Sequence, residues 1–192
     1  MWGFQVQDQT PTQTSKALPI ATLVIRVITL ISLVVSLITI ASDKVTINGD
    51  FRVVTVRFNH IYAYRYMLCT IVLGMTYTLL QITFAIHHAI VGKPLTKREC
   101  LLQFEFYGDK VLLSLLATGV GAAFGATLDL KRNLDGLDES LEQYGIGSFY
   151  QTRSKLDHFF NIAYVSTAFL LIAFLCSLVS STLSSLSLSK IQ

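Results

Sequence analysis

Apolar residues in this chain come in long, nearly unbroken runs. They show neither the alternation of a half-buried strand nor the narrow stripe of a surface helix. Four runs stand out: residues 18–41, interrupted by Arg26 and a few Ser and Thr; residues 64–91; residues 107–128, most strongly apolar from Val111; and residues 160–183. A bilayer core about 30 Å thick is crossed by about 20 apolar residues in a helix, so each run is long enough. Backbone in lipid must satisfy its own hydrogen bonds, which leaves helices or a closed barrel. A barrel would alternate over segments of about ten residues, and these runs do not. The pattern predicts an all-α membrane protein, a four-transmembrane-helix bundle in which residues 18–183 form one domain.

Four crossings put both termini on one side of the membrane. The polar tail 1–17 is rich in Gln and Thr, and the run after it is too long for a signal-peptide core, so it reads as an uncleaved anchor. Residues 42–63 and 129–159 become the two loops on the far side. Residues 92–106 form the loop on the near side, and 184–192 the other tail. The first far loop reads Lys44-Val45-Thr46-Ile47, then Asn48-Gly49, then Asp50 to Arg57 with Val53-Val54-Thr55-Val56 inside it. Two β-rich stretches around Asn-Gly predict a hairpin. The second far loop starts acidic, with Asp135, Asp138, Glu139 and Glu142, and reaches a breaker at Gly145-Ile146-Gly147. A short helix over residues 137–144 or a solvated loop both fit it.

Composition agrees with the runs. Of 192 residues, 52% are hydrophobic and only 14% charged, against about 25% charged in an ordinary soluble domain; the mean hydropathy is +0.55. That excludes a soluble globular enzyme, a disordered tail and a nucleic-acid-binding domain. The net charge is +3 without a basic stripe. Charge counting leaves orientation open. Lys93, Lys97 and Arg98 crowd the short loop, while Lys44, Arg52, Arg57, Lys131, Arg132, Arg153 and Lys155 lie in the other two. Cys69 and Cys176 lie inside spans and Cys100 in the short loop, so no disulfide staples the far loops. Cys100 reads as a plain thiol, with palmitoylation as the alternative.

Ionisable residues within lipid carry the candidate chemistry. Arg26 lies eight residues after Leu18, about 12 Å into the first helix, where an Arg costs roughly 2.5–3.5 kcal/mol on insertion scales. Asp109 is the expected partner: if the third helix begins as early as Leu101, Asp109 also lies eight residues in, and because the first and third helices run parallel both charges fall at similar depth. Glu105, one turn earlier on the same face, is the rival acceptor, and separate snorkelling of each group is the alternative to pairing. Ala117, Gly121 and Gly125 recur every four residues on the third run, beside Ser114 and Thr118. Ala173, Ser177, Ser181 and Ser185 do so on the fourth. Such stripes let helices pack closely, within one chain or between chains.

His87 and His88 end the second run, and His60 and His158 lie near the opposite face. Haem needs His on facing helices at matching depth; interface anchoring, with Tyr62, Tyr64 and Tyr66, fits better. No phosphate loop, metal-ligand spacing or nucleophile elbow occurs. No catalytic residue, cofactor or metal is therefore implied.

Leu23-Val24-Ile25-Arg26-Val27 in the first run, Tyr107-Gly108-Asp109-Lys110-Val111 in the third, and Phe58 with Tyr64-Arg65-Tyr66 entering the second resemble the plant Casparian-strip membrane-domain family, in its CASP-like branch. That family is related to the MARVEL four-helix proteins. The resemblance implies a plasma-membrane protein with cytosolic termini, extracellular far loops, and homo- and hetero-oligomers. It casts Arg26 and Asp109 as the family's paired intramembrane charges. Founding members build immobile membrane domains that recruit cell-wall-modifying enzymes. They carry a signature peptide in the first extracellular loop and a Cys pair in the second, both missing here. The expected function is a non-enzymatic scaffold that contacts lipids and related chains, not nucleic acid. The alternative is a small channel or transporter with a polar path near Arg26 and Asp109, although no broken helix or inverted repeat supports it.

Overall fold

In the computed structural model the described residues are 14–48, 53–57, 61–91, 98–143 and 150–189. They form α1 (Thr14–Ser42), β1 (Lys44–Asn48), β2 (Val53–Arg57), α2 (Tyr62–Val91), α3 (Arg98–Gln143) and α4 (Tyr150–Ser189). All four helices contain stretches long and apolar enough to cross a membrane: Ile20–Ser42, Tyr62–His87, Gln103–Gly136 and Arg153–Ser185. Large apolar side chains such as Ile28, Ile38, Leu73, Val111 and Leu175 point out of the bundle, as expected where the surrounding solvent is hydrocarbon.

The helices form a four-cornered bundle. α1 packs on α2 and α4, and α3 packs on the same two, so α1 faces α3 across the diagonal. Its interior is layered. At the hairpin end Tyr64 lies against Phe159, with ring centroids 6.3 Å apart, and shares a 2.8 Å hydrogen bond with Thr127. Leu33, Ile71, Leu116 and Leu170 fill the middle. There α1 and α4 are joined reciprocally: the Ser36 hydroxyl donates to the Ser166 carbonyl and the Ser166 hydroxyl to the Ser36 carbonyl, both at 2.8 Å. Serine at both positions lets the two backbones come that near. The third layer, where α1 begins and α4 ends, is polar.

Three features differ from the sequence expectation. Residues 129–143, expected in a loop, continue α3, which at 46 residues is about 69 Å long, more than twice a bilayer core. No breaker occurs before Gly145, and a lone helical glycine such as Gly136 costs only about 1 kcal/mol. Leu130, Leu134 and Leu156 pack against the core, and Arg153 of α4 pairs with Asp135 of α3 at 3.0 Å, so the extended ends hold each other. The Gly145-Ile146-Gly147 breaker lies outside the described residues. At its other end α3 begins at Arg98, three residues before the earliest start, Leu101, that the sequence allowed, so residues 98–106 are helical rather than part of the short loop.

The second difference concerns the first far loop. β1 and β2 pair antiparallel from Lys44 opposite Arg57 to Asn48 opposite Val53. Asn48 therefore belongs to the ladder, and residues 49–52, which include Gly49 of the expected turn, lie outside the described residues. The third is Tyr64, expected at the membrane interface. It is fully buried, whereas Tyr62 is exposed, because the helix rotates by about 200° between these positions.

Candidate functional site: an intramembrane polar cluster

Each helix sends polar side chains into the third layer. Arg26 comes from α1, Tyr77 and Gln81 from α2, Glu105 and Asp109 from α3, and Ser184 from α4. Arg26 lies about 9 Å inside the start of its span at Ile20. Asp109 lies as far inside Gln103, and Gln81 as far inside His87. Helical periodicity sets the faces. Tyr77 and Gln81 are four residues apart on α2, and Glu105 and Asp109 four apart on α3, so each pair lies on one side of its helix.

The ion pair that forms is not the one expected from sequence. Arg26 Nη1 donates to Glu105 Oε1 at 3.4 Å across the bundle diagonal. Asp109 has other donors: the Tyr77 hydroxyl at 3.0 Å and Gln81 Nε2 at 2.6 Å on Oδ1, and the Ser184 hydroxyl at 2.9 Å on Oδ2. Gln81 Nε2 also donates to the Tyr77 oxygen at 2.7 Å, and the Tyr77 hydroxyl lies 3.3 Å from the Glu105 carbonyl. Asp109 and Arg26 are both about 5% exposed, and Gln81 4%. Asp109 is thus a buried carboxylate satisfied by neutral donors from two helices besides its own, and the guanidinium turns to the rival acceptor one turn away.

The Glu105 side chain is 22% exposed, so Arg26 pairs toward the rim of the bundle. A pocket beside it, with room for on the order of one water molecule, is lined by Arg26, Thr29, Gln81, Asp109, Ser177 and Ser180. Arg26 Nε and Ser180 Oγ are buried there without a hydrogen-bond partner. The space is a narrow chink between helices. Tyr77 and Gln81 were not singled out from sequence. Their signal was present: a Tyr and a Gln four apart inside an apolar run must find partners.

The small residues divide into two sets. Ala173, Ser177 and Ser181 of α4 are buried inside the bundle. Ala117, Gly121 and Gly125 of α3 face outward, and a Cβ on either glycine would meet nothing within 4 Å. Close approaches within the chain use other glycines. A Cβ on Gly108 would lie 2.6 Å from Tyr77 Cε2, and one on Gly119 2.5 Å from Thr70 Oγ1. Glycine at 108 is what allows Tyr77 to reach Asp109.

Four apolar helices closed at one end by a buried, cross-bonded charged layer define a multi-pass membrane protein. The comparison with known proteins is specific. The chain matches the Casparian strip membrane protein domain over residues 15–176 and belongs to that family. It is 38% identical over 180 residues to CASP-like protein 4D1 of Ricinus communis, covering 94% of this chain and 98% of that protein. It is 41% identical to CASP-like protein 4D1 of Populus trichocarpa over 70% of this chain and 67% of that one. With the Arabidopsis thaliana CASP-like protein 4D1 it shares 41% identity over 71% and 70%. No solved structure matches the chain.

Proposed function

We propose that this chain is a non-enzymatic scaffold of the plasma membrane, with both termini cytosolic, that self-associates through the outer face of α3. The observation that carries the reading is the division of small residues. Those of α4 are consumed inside the bundle, whereas Gly121 and Gly125 leave an open strip that a second helix can approach. In lipid, where apolar side chains gain nothing by leaving the solvent, close backbone approach is what drives helices together. The polar layer supports the same reading. Its groups bond to one another across all four helices, which locks the bundle rather than lining a path. Recruitment of cell-wall-modifying partners by the outer segments extends the proposal from the founding members of the family.

Fluorescence recovery after photobleaching of a tagged copy in plant cells tests this. Slow or absent recovery in discrete patches is expected, with fast recovery once Gly121→Ile and Gly125→Ile are combined. Fast, uniform recovery of the unmodified chain sinks the self-association reading. Ion flux through reconstituted protein in liposomes would overturn it in favour of transport.

A further inference from the structure

Asp43 is the single residue between α1 and the hairpin, and nothing in the proposed scaffold role uses it. It is 2% exposed, and neither of its carboxylate oxygens has a hydrogen-bond partner. A buried carboxylate that ionises without a partner is among the costliest groups a protein can hold. The local backbone makes this worse. Asp43 follows the last turn of α1, its own N–H bonded to the Ile40 carbonyl at 3.3 Å, so it sits at the negative end of a long helix dipole.

Among the described residues no cation is bonded to it. On α2 the group that feels the Asp43 charge is Tyr64, whose hydroxyl is bonded to Thr127 of α3. On α4, Tyr164 acts on Tyr64, His158 is exposed, and Asp157 faces Arg153. Lys44, next in the chain, is exposed. Burial alone pushes the Asp43 carboxyl up to about 7 from 3.8, and Asp43 lies just past the span that ends at Ser42.

We propose that Asp43 is a proton-binding site on the far face of the bundle, and that its proton holds the junction between α1 and the hairpin in place. With the proton bound, the neutral carboxyl stays in its buried seat and β1 rests against α4. With the proton lost, the carboxylate leaves for water and takes the first residues of β1 with it, since one peptide bond separates them. The sign follows from linkage. The seated form holds its proton up to about pH 7 and the released form only to about 3.8. The seated state is therefore favoured at acid pH, weakens about tenfold per pH unit between those values, and levels off above them.

Hydrogen–deuterium exchange of the protein in lipid nanodiscs, corrected for the intrinsic pH dependence of exchange, reads this at residues 44–48. Protection should fall with rising pH up to about 7 in the unmodified chain and stay flat in Asp43→Asn, the neutral isostere. Infrared difference spectra supply a readout independent of the variant's folding: a protonated carboxylic C=O band should vanish over the same pH range. Equal pH profiles for the two chains, protection that rises with pH, or no titrating band would overturn the proposal. So would protection restored at pH 8 by Na⁺, K⁺ or Ca²⁺ alone, which would make the seat a cation site.

Discussion

Replacing Asp109 by Ala removes one acceptor from three donors at once, in a buried layer whose adjoining pocket has room for about one water. Tyr77 keeps a contact with the Glu105 carbonyl at 3.3 Å, and Gln81 keeps its 2.7 Å bond to Tyr77. Ser184 is half-buried and can turn toward its own helix. Interhelical hydrogen bonds in membrane proteins average about 0.6 kcal/mol and reach about 1.7, and bonds to a charged group lie at the upper end. Loss of three such bonds gives about 2–4 kcal/mol, while Asp109→Asn, which preserves Oδ1, should cost about 1. The sharper test is which carboxylate couples to Arg26. At 3.4 Å and partly exposed, the Glu105 pair should give a coupling of about 1 kcal/mol in a double-mutant cycle of Arg26→Gln with Glu105→Gln. The cycle of Arg26→Gln with Asp109→Asn should stay below about 0.5. Reversible unfolding in mixed micelles, or steric trapping in bicelles, measures both. A larger coupling of Arg26 to Asp109 than to Glu105 would refute the assignment of partners.

Substitutions at four other positions test the packing. Gly108→Ala should destabilise the bundle by about 2–3 kcal/mol by displacing Tyr77 from Asp109. Gly125→Ala, into open space on a helix, should stabilise the monomer by up to about 1; thermal unfolding in detergent separates the two signs. Ser166→Ala should cost about 1 kcal/mol through the lost bond to the Ser36 carbonyl, and Ser166→Leu distinctly more because α1 and α4 must separate. Crosslinking between cysteines placed on those two helices would show the separation. Arg153→Ala should change stability by less than about 1 kcal/mol, because the Asp135 and Asp157 pairs are solvent-exposed, and added salt should shrink the difference.

Most of the architecture was legible in the sequence because lipid is an uncompromising solvent. Uninterrupted apolar runs of sufficient length must be helices, so the residue pattern set the number of spans and the common side of the termini. It also placed Arg26 and Asp109 at one depth, with Glu105 one turn away, since helical rise converts sequence position into height. Depth does not give azimuth. Which carboxylate meets Arg26 depends on how the helices are rotated about their axes and on α1 lying diagonally from α3, and only packing sets that. The same holds for the small residues: the stripes on α3 and α4 look alike in sequence, yet one is spent inside the bundle and the other faces out. Asp43 reads in the sequence as an ordinary polar residue at a helix end. Only the tertiary structure, by burying it where α1 meets the hairpin with both carboxylate oxygens unpartnered, made it a buried acid.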